Sequence, residues 1–246
     1  MQAVILAAGK GTRMGALTDK VPKPMLQVAG KTLLEHKFDA LPEAVSEIII
    51  VVGYLGDVIR ARFGDSYKGK TLRYVEQENP VAGTMDALLK AQPFLSGKFL
   101  VMNGDNIYTR EDMMACMNEE WATVVFEARD LGNGAKVVVD DKDCVRDIIE
   151  ASYHGGGPGF QNMNLYVFDM RLFEQSPVPK GPGASEYGLP QTAVSASKTL
   201  GIPFKIVRSK FWIQIKDPKD LWRLKLFLSE SNNPHGRLLK SRHLLL

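Results

Sequence analysis

The sequence predicts a three-layer α/β fold, a mostly parallel sheet with helices on both faces. Two observations predict it. The strands read as continuous apolar runs rather than alternating ones, and helix-period segments lie between them. Right-handed crossovers then bring the strand C-termini to one edge, where ligands bind.

The elements follow in order. "AVILA" is a buried-type strand and "GKTLLEHKFDAL" a helix; "EIIIVVG" is a second strand and "GDVIRARFG" a second helix. "TLRYVEQ" is a third strand, "GTMDALLKAQPFL" a helix and "KFLVMNGD" a fourth strand. "REDMMACMNEE" reads as a helix and "ATVVFEA" as a fifth strand. After residue 129 the pattern changes. "AKVVVDDKDCVRDIIE" reads as a hairpin turning at residues 141–143, and "NMNLYVFD" as another strand. "SYHGGGPGF" and "QSPVPKGPGASEYG" are Gly- and Pro-rich loops. A helix ("LPQTAVSASKTLG"), strands "FKIVR" and "FWIQI" and a helix "DPKDLWRLKLFLS" complete the pattern. No linker and no internal repeat is visible. The expected organisation is a single domain over 1–229, with halves 1–129 and 130–229, and a basic, apolar tail over 230–246 that reads as a surface helix, a disordered end or an oligomer contact.

With 246 residues, 45% hydrophobic and 24% charged, the chain can bury a sizeable core. The formal charge of +3 is spread rather than blocked, which argues against a nucleic-acid surface. Cys116 and Cys144 stand alone, which argues against a disulfide framework or zinc site. The run Ala3–Ala8 is too short for a signal peptide and no segment reaches membrane-spanning length, so a cytoplasmic protein with no membrane partner is expected.

The turn after the first strand, "AAGKGTRMG", fits neither common nucleotide fingerprint. A P-loop needs a glycine five residues before its Gly-Lys, where this chain has Val4. The dinucleotide pattern finds Gly9 and Gly11, but its third glycine falls one residue late, at Gly15. What remains is an anion cradle: Gly9 and Gly11 let backbone N–H groups approach phosphate closely, and Arg13 adds a forked cation. Lys23 sits between Pro22 and Pro24, which restrict its backbone. Two cations on separate rigid segments suit a triphosphate together with a second phosphate.

"LAAGKGTRM" followed by "PKPML" closely resembles the signature of the sugar-1-phosphate nucleotidyltransferases. "EQENPVAGTMDAL", "VMNGDNIY", "GAKVVVDD", "IIE", "NLYVFD" and "FWIQIKDPKDL" are similar to later motifs of that family, so the likeness covers residues 1–228. It implies a Rossmann-like fold of the nucleotide-diphospho-sugar transferase type. It also implies transfer of a nucleoside monophosphate from an NTP, UTP or dTTP, to a sugar-1-phosphate, with release of pyrophosphate. Arg13 and Lys23 would be the catalytic cations. Leu6, Ala8, Gly9, Gly11, Thr12, Gln77, Gly83 and Thr84 would bind the nucleotide, Gln77 reading the base. Gly134, Glu150 and Asn162 would bind the acceptor, and Asp105 with Gln214 would hold Mg²⁺. Relatives of this kind are often oligomeric. Taken without the resemblance, Gln77 also reads as a solvated strand end and Asp105 as a turn cap.

Three departures stand on the metal and acceptor side. Relatives carry aspartate where this chain has Gln214, and lysine then proline where it has Ala151 and Ser152. Glycines are replaced by Asn164 and Lys216. The loss of a charge at Gln214 supports a second reading, a nucleotide-binding regulatory relative with weakened chemistry. CTP also stays open as the nucleotide. A glycosyltransferase on a similar fold would want a D-x-D-like metal motif, and "NGDNI" lacks its first aspartate.

Overall fold

The computed structural model describes residues 1–231. Strand β1 (Gln2–Leu6) is the centre of the sheet, with Ala3, Val4 and Ile5 fully buried. It pairs in parallel with β4 (Glu47–Val52) on one side and β7 (Lys98–Asn103) on the other. β4 is followed outward by β6 (Lys70–Glu76), parallel, and by the short antiparallel β5 (Ser66–Tyr67). The chain thus fills one side of β1 and then crosses back to the other. Such a reversal opens a crevice at the carboxyl ends of the strands, here between β1 and β7.

Beyond β7 the sheet changes direction. β12 (Gly159–Asp169) runs antiparallel to β7 and also to β9 (Trp121–Ala128), while β13 (Phe204–Ser209) is parallel to β9. β12 also pairs with β10 (Lys136–Val139), which forms the expected hairpin with β11 (Val145–Ile149). The segment read as "NMNLYVFD" is therefore only part of an eleven-residue strand. The apolar run "FWIQI" yields just two strand residues, β14 (Ile213–Gln214), paired with β8 (Asn106–Ile107). The small hairpin β2 (Gln27–Val28) and β3 (Lys31–Thr32) precedes the first helix.

Helices cover both faces. α3 (Thr84–Ala91) and α5 (Leu189–Leu200) contribute Met85, Leu88, Ala193 and Val194 to one core layer. α1 (Leu33–Ala40), α2 (Gly56–Phe63) and α4 (Arg110–Asn118) contribute Leu34, Phe38, Ile59 and Met113 to the other. α1 starts at a capping box in which Thr32 and Glu35 satisfy each other's backbone N–H. α6 (Pro218–Ser231) packs with Met14 and β14 in a third cluster. The tail over 232–246 lies outside the described residues. No described helix is long and apolar enough to cross a membrane.

Candidate active site

A cavity of about 460 Å³ opens at the carboxyl ends of β1 and β7. Its floor is the loop after β1, drawn in by Gly104 N–H donating to Leu6 O at 2.8 Å. Gly11 is left-handed at φ 68°, and a Cβ there would lie 2.9 Å from Lys23 Cβ. Glycine therefore serves two needs at this position: the turn, and the close passage of the lysine stem. A 3₁₀ turn over Lys23–Met25, opened by Pro22, fixes Lys23 against the loop. Lys23 is 7% exposed, and its Nζ donates to Asp105 Oδ2 at 2.8 Å.

Asp105 occupies the tight turn between β7 and β8. The C-terminal strand clips that turn from the far side: Ile215 N–H donates to Asp105 O at 2.9 Å, and Gln214 stands opposite Asn106 in the β14–β8 pair. Lys216 follows, with its Nζ 5.7 Å from the centre of the Trp212 ring. Burial lowers its pKa, and Arg13 lowers it further, while Asp220 and Asp105 act the other way. Four segments distant in sequence thus bring Arg13, Lys23, Lys216 and Asp105 to one wall.

Lys37 lies behind that wall. It is 1% exposed, donates to Asn106 O and sits 5.2 Å from the Tyr108 ring centre. Burial pulls its pKa down to about 7, partly opposed by Asp105. Asn106 Oδ1 is buried there without a hydrogen-bond partner.

Gln77 also lines the cavity; it is 4% exposed, and its Nε2 donates to Gly83 O at 3.1 Å and Asp86 Oδ2 at 2.9 Å. Both amide protons are therefore committed, and Oε1 is the atom left for a ligand. Gly83 has φ 99°, and a Cβ would lie 2.3 Å from Tyr187 O, so the loop after β6 and the 176–188 loop touch through backbone. Met85 N–H donating to Tyr187 O at 3.1 Å and Tyr187 N–H to Ala82 O at 2.9 Å hold that contact. Glu150, on the same lining, accepts at Oε1 from Gln191 Nε2 at 3.2 Å.

Every residue that the sequence pointed to for catalysis, nucleotide, acceptor or metal lines this one cavity. Leu6, Ala8, Gly9, Gly11, Thr12, Arg13 and Lys23 come from the first loop, and Gln77, Gly83 and Thr84 from the next edge. Asp105, Gln214, Gly134, Glu150 and Asn162 complete the lining. Sequence reasoning missed Lys180, Glu186 and Tyr187, which enter from a loop with no periodicity to read, and Gln161, which hides inside a strand. It missed Lys37 although a signal was present: Leu33, Leu34, Lys37 and Phe38 share one face of α1.

The model of the MobA-like NTP transferase domain matches residues 3–163. The chain belongs to that family. A relative named bifunctional protein GlmU, from Methanocaldococcus jannaschii, is 30% identical over 238 residues, covering 95% of this chain and 55% of its own length. The UTP–glucose-1-phosphate uridylyltransferase AglF of Haloferax volcanii is 39% identical over 129 residues, 51% of this chain and 53% of its own. The chain thus spans about half the length of these curated relatives. Among solved structures, the inositol-1-phosphate CTP transferase of T. maritima superposes with a TM-score of 0.74 at 19% identity, over 93% of this chain and 94% of that one. That likeness establishes the nucleotidyltransferase type of sheet for this member.

Proposed function

We propose that this chain transfers a nucleoside monophosphate from UTP or dTTP to a sugar-1-phosphate and releases pyrophosphate. One observation carries the reading: a single cavity brings together an amide with an uncommitted carbonyl oxygen, carboxylates in a polar lining and converging cations. In the reaction an oxygen of the sugar phosphate attacks the α-phosphorus, and the bond from that phosphorus to the pyrophosphate oxygen breaks. A phosphate monoester, with a second pKa near ~6, is already largely dianionic at neutral pH, so no general base is needed. What the reaction needs is alignment of two polyanions and neutralisation of the charge that gathers.

The chain's residues match those tasks. Arg13 and the loop N–H groups hold the β- and γ-phosphates that leave. Lys23, released from Asp105 when ligands arrive, bridges the α-phosphate and the incoming phosphate. Lys216 supplies a third cation beside Arg13. Gln77 Oε1 accepts from the imino N–H that uracil and thymine carry at N3 and cytosine lacks. Guanine also carries such a group, and the choice of a pyrimidine rests on the family position of Gln77.

The donor set also fits Mg²⁺ brought in with the nucleotide. The described residues hold no cluster of three or more acidic, His or Cys side chains, and Mg²⁺ is commonly held by one or two carboxylates plus phosphates and water. Asp105 would be that carboxylate, with the Gln214 carbonyl as a neutral second ligand. Bound there, the ion would draw charge from the phosphate oxygens.

Gln214 and Ala151 favour a second reading, a nucleotide-binding regulatory protein that lacks efficient transfer. One assay separates the two: pyrophosphate release with Mg²⁺, each common NTP and a panel of sugar-1-phosphates. Release with UTP or dTTP is expected. Binding of those nucleotides without release under any acceptor would overturn the transferase.

A further inference from the structure

The acceptor end of the cavity contains two amides whose hydrogen-bonding accounts can be closed atom by atom. Asn162 is 3% exposed. Its Oδ1 accepts from the backbone N–H of Asn164 at 3.1 Å and from Thr123 Oγ1 at 3.1 Å. The backbone donor fixes which way this amide faces. Its Nδ2 then donates to Tyr166 OH at 2.7 Å and to Asn164 Oδ1 at 3.3 Å. Tyr166 OH in turn donates to Asn164 Oδ1 at 3.1 Å. Asn162 has no polar atom to spare for a substrate. It is a brace beneath Asn164.

Asn164 is what the brace supports. It sits in the left-handed region at φ 55°, inside the stretch where the β12–β9 register shifts between Asn162 and Tyr166. Its side chain lines the cavity. With Oδ1 taken twice, its Nδ2 has no partner among the described residues, so two N–H donors remain for a ligand.

Gln161, three residues earlier on the same strand, is 4% exposed and also lines the cavity. Its carboxamide makes no hydrogen bond to any described residue. Its position is built rather than incidental: a Cβ added to Gly134 would lie 1.9 Å from Gln161 Nε2, so the amide takes the space a side chain at Gly134 would fill. Neither amide atom is sealed off from the cavity, so the carboxamide is open to bond a ligand there.

We propose that Gln161 and Asn164 together determine acceptor specificity by reading a ring hydroxyl of the sugar phosphate, with Asn162 as their positioning residue. A hydroxyl suits the pair because it accepts from Asn164 Nδ2 and donates to Gln161 Oε1. An acceptor that is deoxy at that carbon leaves both amides unpaired, and sites built to hydrogen-bond a hydroxyl reject such analogues strongly. The identity of this end as the acceptor subsite rests on the transferase reading above.

The test uses the full chain and calorimetric binding, so it does not depend on turnover. The probes are glucose-, galactose-, mannose- and N-acetylglucosamine-1-phosphate, with the 2-, 3-, 4- and 6-deoxy forms of the tightest binder. The proteins are wild type, Asn164→Gly, which suits the left-handed backbone, and Gln161→Leu. Wild type is expected to bind one hydroxyl-bearing probe at least about tenfold more tightly than one of its deoxy forms. Both variants are expected to close that gap while keeping the wild-type UTP affinity; Asn164→Gly, which also takes away the acceptor of Tyr166 OH, is expected to melt at a lower temperature than Gln161→Leu. Binding of no probe, a wild type without any gap, or a gap kept in either variant of wild-type UTP affinity would overturn the proposal. Pyrophosphate release is read in parallel. Release with an unchanged gap removes the amide pair and leaves the transferase, whereas a gap closed in both variants with no release does the reverse.

Discussion

Lys37 sits on the apolar face of α1 with Leu34 and Phe38, its amine donating to Asn106 O behind the Asp105 turn. The folded pKa of about 7 lies well below the ordinary lysine value of 10.5. Below about pH 7 the folded and unfolded states both carry the proton, and the fold bears the full cost of the buried charge. Between about 7 and 10.5 the unfolded state binds more protons, so stability rises with pH by up to ~1.4 kcal/mol per unit. Lys37→Met keeps the volume and removes this dependence. We expect the stability difference, wild type minus variant, to increase by ~1–2 kcal/mol between ~pH 7 and ~pH 8.5 in urea titrations. A pH-independent difference would mean that Lys37 keeps its proton in the folded state throughout this range. The residues of the first loop were legible in the sequence because glycine, proline and basic side chains carry their constraint locally. Lys37 was not read because its role appears only when a distant turn is laid over its amine.

At the scale of elements, the parallel strands and both helical layers were readable from apolar runs and their period. The direction of β12 was not, because a strand buried on both faces looks the same whichever way it runs. β14 shrank to two residues because its hydrogen bonds go to the short β8, not to a long ladder. The contact between the loop after β6 and the 176–188 loop was equally hidden, since it is made of backbone. It is concentrated at Gly83, whose φ 99° and ψ 179° belong to a region essentially confined to glycine. Gly83→Ala adds backbone strain to a Cβ placed 2.3 Å from Tyr187 O. We expect a loss of ~2–4 kcal/mol in stability, and UTP affinity reduced by at least about tenfold because Gly83 O also anchors Gln77 Nε2. A variant with wild-type melting and UTP binding would show that the two loops part without consequence.

Across the described molecule, the last described strand returns a cation to the first loop. Arg13 follows β1, Lys23 follows the proline turn, Asp105 follows β7 and Lys216 follows β14; three of these four are cations, and Asp220 also acts on Lys216. The balance fits a site that receives polyanions rather than one that stores a metal ion. It also gives Lys216 a task that the neutral Gln214 leaves open. The backbone around Lys216 is held independently of its side chain, by Lys216 N–H donating to Asp220 Oδ2 at 2.7 Å and Ile215 N–H donating to Asp105 O at 2.9 Å. Truncation to alanine therefore removes a charge and leaves the turn. Negative charge grows on the departing pyrophosphate as the bond breaks, so a cation placed for it acts more on kcat than on KM. We expect Lys216→Ala to lower kcat by about 100-fold, with the KM for UTP changed by less than about fivefold, and Lys216→Arg to recover part of the loss. A raised KM at constant kcat would make Lys216 a ground-state phosphate contact. Unchanged kinetics would assign the work to Arg13 and Lys23 alone, and the departure at Gln214 would then go uncompensated by any cation on β14.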